Sequence, residues 1–219
     1  MAKANKAYKY RIYPNEQQRI LFAKTFGCVR FVYNQILKEQ ESRFHGNQKR
    51  MSAYEANNFC NHILKGSYPW LREVDKFALN NSIFALNFAY KRFFETKGIC
   101  RHPKYKSKHG SKASYTTNMT NNNIYIGENF IKLPKAGKVK AKINYLLPKN
   151  VVIKTATVNR TPNNKYFCSI CYEYQAIAVS PVIPVFKTTL GLDYSSHDFY
   201  VDSNVDRADY PRYYSRAGR

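Results

Sequence analysis

The chain has 219 residues and carries 36 Lys and Arg against 14 Asp and Glu, a formal net charge of +22. That surplus argues against neutral small-molecule chemistry as the sole task and points to a polyanion, because basic surfaces bind phosphates by displacing their counterions. Apolar residues make up 44% and aromatic residues 16%, which excludes a disordered basic tail.

In chain order, Tyr8 to Tyr13 alternates apolar and basic residues and is predicted to be a strand with one basic face. Asn15 and Gln18 form a candidate capping box. A helix is predicted from 16 to about 44, with Leu21, Cys28, Phe31, Val32 and Ile36 as core positions and a division or bend at Gly27. A second helix is predicted over about 52–65 and a third over about 73–96, with Leu79, Ile83, Leu86, Tyr90 and Phe93 facing a core. From 99 to 113 the chain is basic and loop-like, with Arg101, His102, Lys104, Tyr105, Lys106, Lys108, His109 and Lys112.

Strands follow. Asn121–Asn123 and Gly127–Asn129 are predicted turns. Lys138, Lys140 and Lys142 alternate with apolar residues and share one strand face. Val151–Val158 and Lys165–Tyr174 pair around the turn at 162–164, and Thr188–Tyr194 and Phe199–Asp202 form a further hairpin. The order is strand, helices, strands, then a new unit: an α+β pattern.

Charge marks the same break. The segment 188–219 holds four Arg and five Asp, so the whole basic surplus lies before it, at a net of +23. The Pro-containing stretch Ser180–Pro184 reads as the linker. No run approaches the roughly 18 apolar residues of a membrane span, and the basic N-terminus lacks an apolar signal core. The five cysteines are scattered and odd in number, and read as reduced thiols in a cytosolic protein.

Three features could carry chemistry. Cys168 and Cys171 form a Cys-x-x-Cys pair, but an alternating strand sends their side chains to opposite faces, so packing is the expected role and no zinc is expected. Cys60-x-His62 and Cys100-x-His102 lack a usual zinc spacing. Basic residues interleaved with aromatics suit nucleic acid, since Lys and Arg meet phosphates while Tyr, Phe and His offer stacking faces. Asp193 ends an apolar strand and suits a carboxylate that ligates Mg²⁺, although one Asp cannot hold two ions.

Several ordered segments together resemble the TnpB (OrfB) family of insertion-sequence transposons: Tyr10–Pro14, Arg30–Asn34, Glu73–Ser82, Tyr90–Phe94, Pro103–Lys108, Tyr115–Asn118 and Ile131–Lys135. Gly191-Leu192-Asp193 is similar to the family's first RuvC-type nuclease segment. The resemblance implies a wedge-like β-barrel with an inserted helical recognition lobe, followed by the first hairpin of an incomplete RuvC/RNase H-like domain. The implied boundaries are a first barrel strand at 1–14, a helical lobe with helix-turn-helix-like N-terminal helices at 15–98, a basic loop and remaining barrel at 99–180, a linker at 181–187, and the nuclease start at 188–219.

The family activity so implied is RNA-guided, Mg²⁺-dependent DNA cleavage, with a guide RNA from the transposon end and a double-stranded DNA target as partners, in the bacterial or archaeal cytoplasm at the nucleoid. Asp193 matches the first catalytic, Mg²⁺-binding carboxylate. Tyr54, Lys76, Phe77, Asn80 and Thr120 match the surface that reads a short DNA motif, with Asn80 where Gln is frequent. Arg101, Lys104, Lys106, Lys108, Lys138, Lys140 and Lys142 are the expected nucleic-acid backbone contacts. The family's second and third acids and its zinc ribbon lie downstream of where this chain stops. The expectation is therefore a truncated, frameshifted or cut product that binds nucleic acid and does not cleave alone. A stand-alone RNA- or DNA-binding module or repressor is the alternative, and a basic ribonucleoprotein component a third reading.

Overall fold

The computed structural model describes residues 2–96, 99–110, 112–148, 150–176, 183, 185, 189–194 and 199–208. The chain divides into two compact units, Met1–Ala176 and Ile177–Arg219.

The first unit begins with strand β1 (Ala2–Tyr13), followed by helix α1 (Glu16–His45). The capping box forms: Asn15 Oδ1 accepts from Gln18 N–H at 2.9 Å, and Gln18 Oε1 accepts from Asn15 N–H at 3.1 Å. Gln18 Nε2 also donates to the carbonyls of Ala136 and Lys138, at 3.0 and 2.9 Å, so the cap pins the helix start to the sheet. Gly27 does not divide α1, which runs unbroken through it. A helical glycine costs about 1 kcal/mol relative to alanine, and burial of the flanking Phe26 and Cys28 offsets it.

Helix α2 (Ala53–Asn58) passes through a π-helical turn, Phe59–Leu64, into the short α3 (Lys65–Ser67). A 3-10 turn, Pro69–Arg72, leads to α4 (Lys76–Glu95). The remaining strands are β2 (Ala113–Asn118), β3 (Tyr125–Ile126), β4 (Phe130–Leu133), β5 (Gly137–Lys142), β6 (Val152–Arg160) and β7 (Tyr166–Ala176).

These strands and β1 form one seven-stranded sheet in the order β2-β6-β7-β1-β5-β4-β3, with antiparallel neighbours. Its hydrogen-bonded order is open. No ladder joins β2 to β3 among the described residues, so the expected barrel is present only as a sheet. The sheet must nevertheless curl. Its edge strands β2 and β3 are consecutive in the chain, and flat they would stand about 29 Å apart. The connection from Asn118 to Tyr125 reaches at most about 25 Å when extended. A turn shortens it further, with Asn123 N–H donating to Thr120 O at 3.1 Å and Asn121 and Asn122 at φ 49° and 54°. Asparagine tolerates this left-handed region better than most residues.

Two cores share α1. Phe22 and Phe26, in its first half, pack inside the curled sheet against Tyr115, with Phe22 also against Tyr166. Val32, Ile36 and Leu37, in its second half, pack with Met51, Leu71, Leu79, Ile83, Leu86 and Tyr90 in a helical core. Leu21 and Phe31, expected in the core, are half-buried, and so is Phe93. Phe22 and Phe26 take the sheet-facing positions instead, because the helix turns a different edge to the sheet than to α4.

The second unit contributes β8 (Leu192–Tyr194), β9 (Tyr200–Asp202) and β10 (Arg207–Ala208), an antiparallel three-stranded sheet. The expected hairpin is there. Thr188, most of the expected linker, and the Tyr210–Tyr214 segment lie outside the described residues.

Candidate nucleic-acid interface

The basic loop after α4 is held by α1. Asn34 Oδ1 accepts from Lys106 N–H at 2.8 Å and Asn34 Nδ2 donates to Lys106 O at 2.9 Å, replacing the strand partner the loop lacks. Lys106 Nζ sits 3.8 Å from the centroid of the Tyr33 ring, and burial pushes its pKa down. Tyr105 donates its hydroxyl to Glu41, and that bond raises the phenol to about 12. His102 packs edge-on between Tyr90 and Phe93, 5.3 Å from each ring. Arg101, Lys104 and Lys108 are exposed.

Three clefts then share their walls. One, of about 370 Å³, is lined by Lys108, His109, Lys112 and Arg160 at the turn between β6 and β7. A second, of about 270 Å³, is lined by Phe26, Arg30, Lys106, Lys112 and Ser114. The third, of about 540 Å³, is lined by Lys24, Gly27, Arg30, Phe31, Asn34, Trp70 and Glu73. Lys112 joins the first two and Arg30 the last two, so the cationic wall is continuous. Phe31 meets Tyr68 and Trp70 edge-on at 4.8 and 4.9 Å, leaving Trp70 partly exposed at one end. Lys24 is bonded to Glu73 at 2.6 Å, so one of the cleft's cations is already paired. Sequence reasoning missed Arg30 and Arg160 as members. Both sit in patterned elements, and only their convergence with Lys106 and Lys112 marks them.

The strand face predicted at β5 forms as expected. Lys138, Lys140 and Lys142 are exposed while Val139 and Ala141 are buried. The register sets Lys142 beside Arg11 and Lys140 beside Tyr13 of β1. Lys9 and Arg11 lie over the Phe167 ring at 4.5 and 5.1 Å, and Lys138 over Phe130 at 4.9 Å. The outer face of the sheet is thus a second surface of cations on aromatic rings.

The five expected motif-reading residues fall on three elements. Tyr54 is exposed on α2, and Thr120 is exposed just past β2. Lys76, Phe77 and Asn80 occupy the first turns of α4, with Lys76 Nζ 5.1 Å from the Phe77 ring. Their helix is locked to β2. Asp75 caps it, accepting from Ala78 N–H at 3.2 Å, and also accepts from the buried Thr117 hydroxyl at 2.6 Å. Asn81 Nδ2 donates to Thr116 O at 2.8 Å and to Asn118 Oδ1 at 3.0 Å. The first turns of α4, which carry Lys76, Phe77 and Asn80, are therefore held against the end of β2, and Thr120 follows Asn118 there by two residues.

In the second unit, Asp193 is exposed on β8 opposite Val201. Asp202 is opposite Leu192, so the two carboxylates project from opposite faces. Asp202 Oδ1 is taken up by the N–H groups of Asn204 and Asp206, both at 2.8 Å. No group of three or more His, Cys, Asp or Glu that could hold a metal exists among the described residues. In the first unit, Cys168 is buried and Cys171 half-buried on opposite faces of β7, and both thiols are free. No helix among the described residues is long and apolar enough to cross a membrane.

Residues 1–49 match the OrfB IS605 family described as a helix-turn-helix domain. Here that stretch forms β1 and one unbroken helix. The chain is 28% identical over 195 residues to a Streptomyces pristinaespiralis protein named "Putative RNA-guided DNA endonuclease", covering 88% of this chain and 46% of that protein. It is 33% identical over 114 residues to virulence protein VsdF of Salmonella dublin, covering 48% of this chain and 95% of that protein. The chain thus spans about half the length of the first relative and nearly all of the second.

Proposed function

The chain belongs to the TnpB (OrfB) family of insertion-sequence transposons, and from that premise we propose that its first unit is the nucleic-acid-binding body of an RNA-guided DNA endonuclease. The observation that carries this reading is the continuous cationic wall through Arg30, Lys106 and Lys112. Its cations meet phosphates without reading sequence, while base pairing in a guide RNA from the transposon end selects the double-stranded DNA target.

In this reading the curled sheet is the wedge-like barrel of the family and α1–α4 are its recognition lobe. Tyr54, Lys76, Phe77, Asn80 and Thr120 read the short DNA motif, the Asn80 amide contacting a base edge. Arg101, Lys104, Lys108 and the β5 lysines contact the backbone of the strands. Asp193 supplies one carboxylate of a Mg²⁺ site that needs further acids. The protein acts where the chromosome lies, in the cytoplasm.

A second reading, a stand-alone RNA- or DNA-binding module or repressor, is favoured by the placement of Asp193 and Asp202 on opposite faces. Sequencing RNA that co-purifies with the protein separates the two. A single species overlapping the transposon end supports the guided reading, whereas random RNA with steep salt dependence leaves a non-specific binder.

A further inference from the structure

A cavity of about 440 Å³ lies between the C-terminal ends of α1 and α4, away from the cationic clefts. Its apolar lining consists of Phe44, Tyr90, Phe93 and Phe94, with no Leu, Ile, Val or Met among the described residues. Phe44 is 79% and Phe94 60% exposed, so two large rings face water at its mouth. The Arg50 guanidinium lies 5.2 Å from the Tyr90 centroid and 5.8 Å from that of Phe94. We propose that this cavity takes one unpaired nucleobase from a single strand whose phosphates follow the cationic wall through Arg30, Lys106 and Lys112. The proposal rests on the nucleic-acid-binding reading above.

The chemistry of the lining selects this occupant. An apolar peptide or acyl chain is matched by aliphatic side chains that interdigitate with it. Flat rings with a guanidinium among them match another flat ring, which every nucleobase presents. The size suits a base with its sugar. The wall's one acid, Glu41, accepts the Tyr105 hydroxyl, while Arg50 brings a cation, so the mouth is not hostile to phosphate.

Continuity with the cleft supplies the strand. Gly27, Phe31 and Asn34 line the cleft of about 540 Å³, and Glu41 and His45 line this cavity. At 3.6 residues per turn these positions form one stripe of α1, because the 18 residues from Gly27 to His45 make five turns. Exposed Lys38 stands on the same stripe between the two. The Asn34-held loop also runs from His102 in the cavity wall to Lys106 in the cleft wall.

The test uses the whole 219-residue chain and short RNA and DNA strands that carry a single 2-aminopurine, whose fluorescence falls on stacking. The expected result is quenching on binding. Phe44→Ala with Phe94→Ala should restore the fluorescence and raise Kd about tenfold, the scale of one stacked base, with the salt slope unchanged. Quenching with RNA alone, DNA alone or both supports the proposal and names the strand. A double variant with native circular dichroism but unchanged affinity and quenching overturns it and leaves the nucleic-acid reading standing. If the double variant misfolds, Phe44→Ala alone decides by the same readouts. A wild-type chain that binds neither strand overturns both.

Discussion

The side-chain amide of Asn34 bonds to both backbone groups of Lys106, 72 residues later in the chain, at 2.8 and 2.9 Å. One polar side chain on a helix thereby decides where an entire basic loop lies. Asn34→Ala removes both bonds, each worth about 1 kcal/mol net. The expected outcome is faster amide exchange at Lys106, a nucleic-acid affinity several-fold weaker, and a small drop in Tm, since the helical core beneath Asn34 is untouched.

Arg30 and Lys112 each line two clefts. If both meet phosphates, each alanine substitution should flatten the dependence of log K on log salt by about one ion. Glu16→Gln, on an exposed residue outside the clefts, should leave the slope unchanged. Binding measured at four salt concentrations distinguishes these outcomes.

Asp75 holds the start of α4 and the buried hydroxyl of Thr117 at once. Asp75→Ala loses the cap and strands that hydroxyl, at a cost of about 2–3 kcal/mol in urea unfolding. Thr117→Val removes only the hydroxyl partner and should cost less. DNA-motif selectivity should fall in Asp75→Ala under conditions where it is still folded, because Lys76, Phe77 and Asn80 sit on the turns that Asp75 anchors.

Burial raises the Cys28 thiol from 9.0 to about 11 and the Cys168 thiol from 9.0 to about 12. At pH 8 both stay protonated, so a thiol reagent should modify half-buried Cys100 and Cys171 first and reach Cys28, Cys60 and Cys168 only on unfolding. The folded thiols hold their protons more tightly than the unfolded ones. Stability from this source is therefore complete below about pH 9 and is lost as pH rises toward the folded values. Alkaline melting curves read the effect.

Asp193 meets no second carboxylate on its own face of the hairpin among the described residues. A purified polypeptide of these 219 residues is expected to bind nucleic acid and leave plasmid DNA uncut in Mg²⁺. Asp193→Ala should bind as tightly as the parent. Mg²⁺-dependent cleavage lost in Asp193→Ala would show that this chain completes the site.

Much of this architecture follows from the order of residues alone. The capping box at Asn15 and Gln18, the period of Leu79, Ile83, Leu86 and Tyr90, the alternation of Lys138 to Lys142 and the charge break near 188 are local patterns. A helix or strand repeats over a few residues, and its periodicity survives in one dimension. What tertiary structure decided has no such repeat. Consecutive strands β2 and β3 became opposite edges of one curled sheet, Asn34 found Lys106, Arg30 came to line one cleft with Lys112, and Phe44 came to line one cavity with Phe94. The side-chain pairs join residues dozens of positions apart and the two edges are set by the pairing of every strand between them, so chain closure and packing, not local pattern, choose the partner. The charge of +22 marked a binder of polyanions. Only the fold determined which of those cations line a continuous wall and which cover the outer face of the sheet.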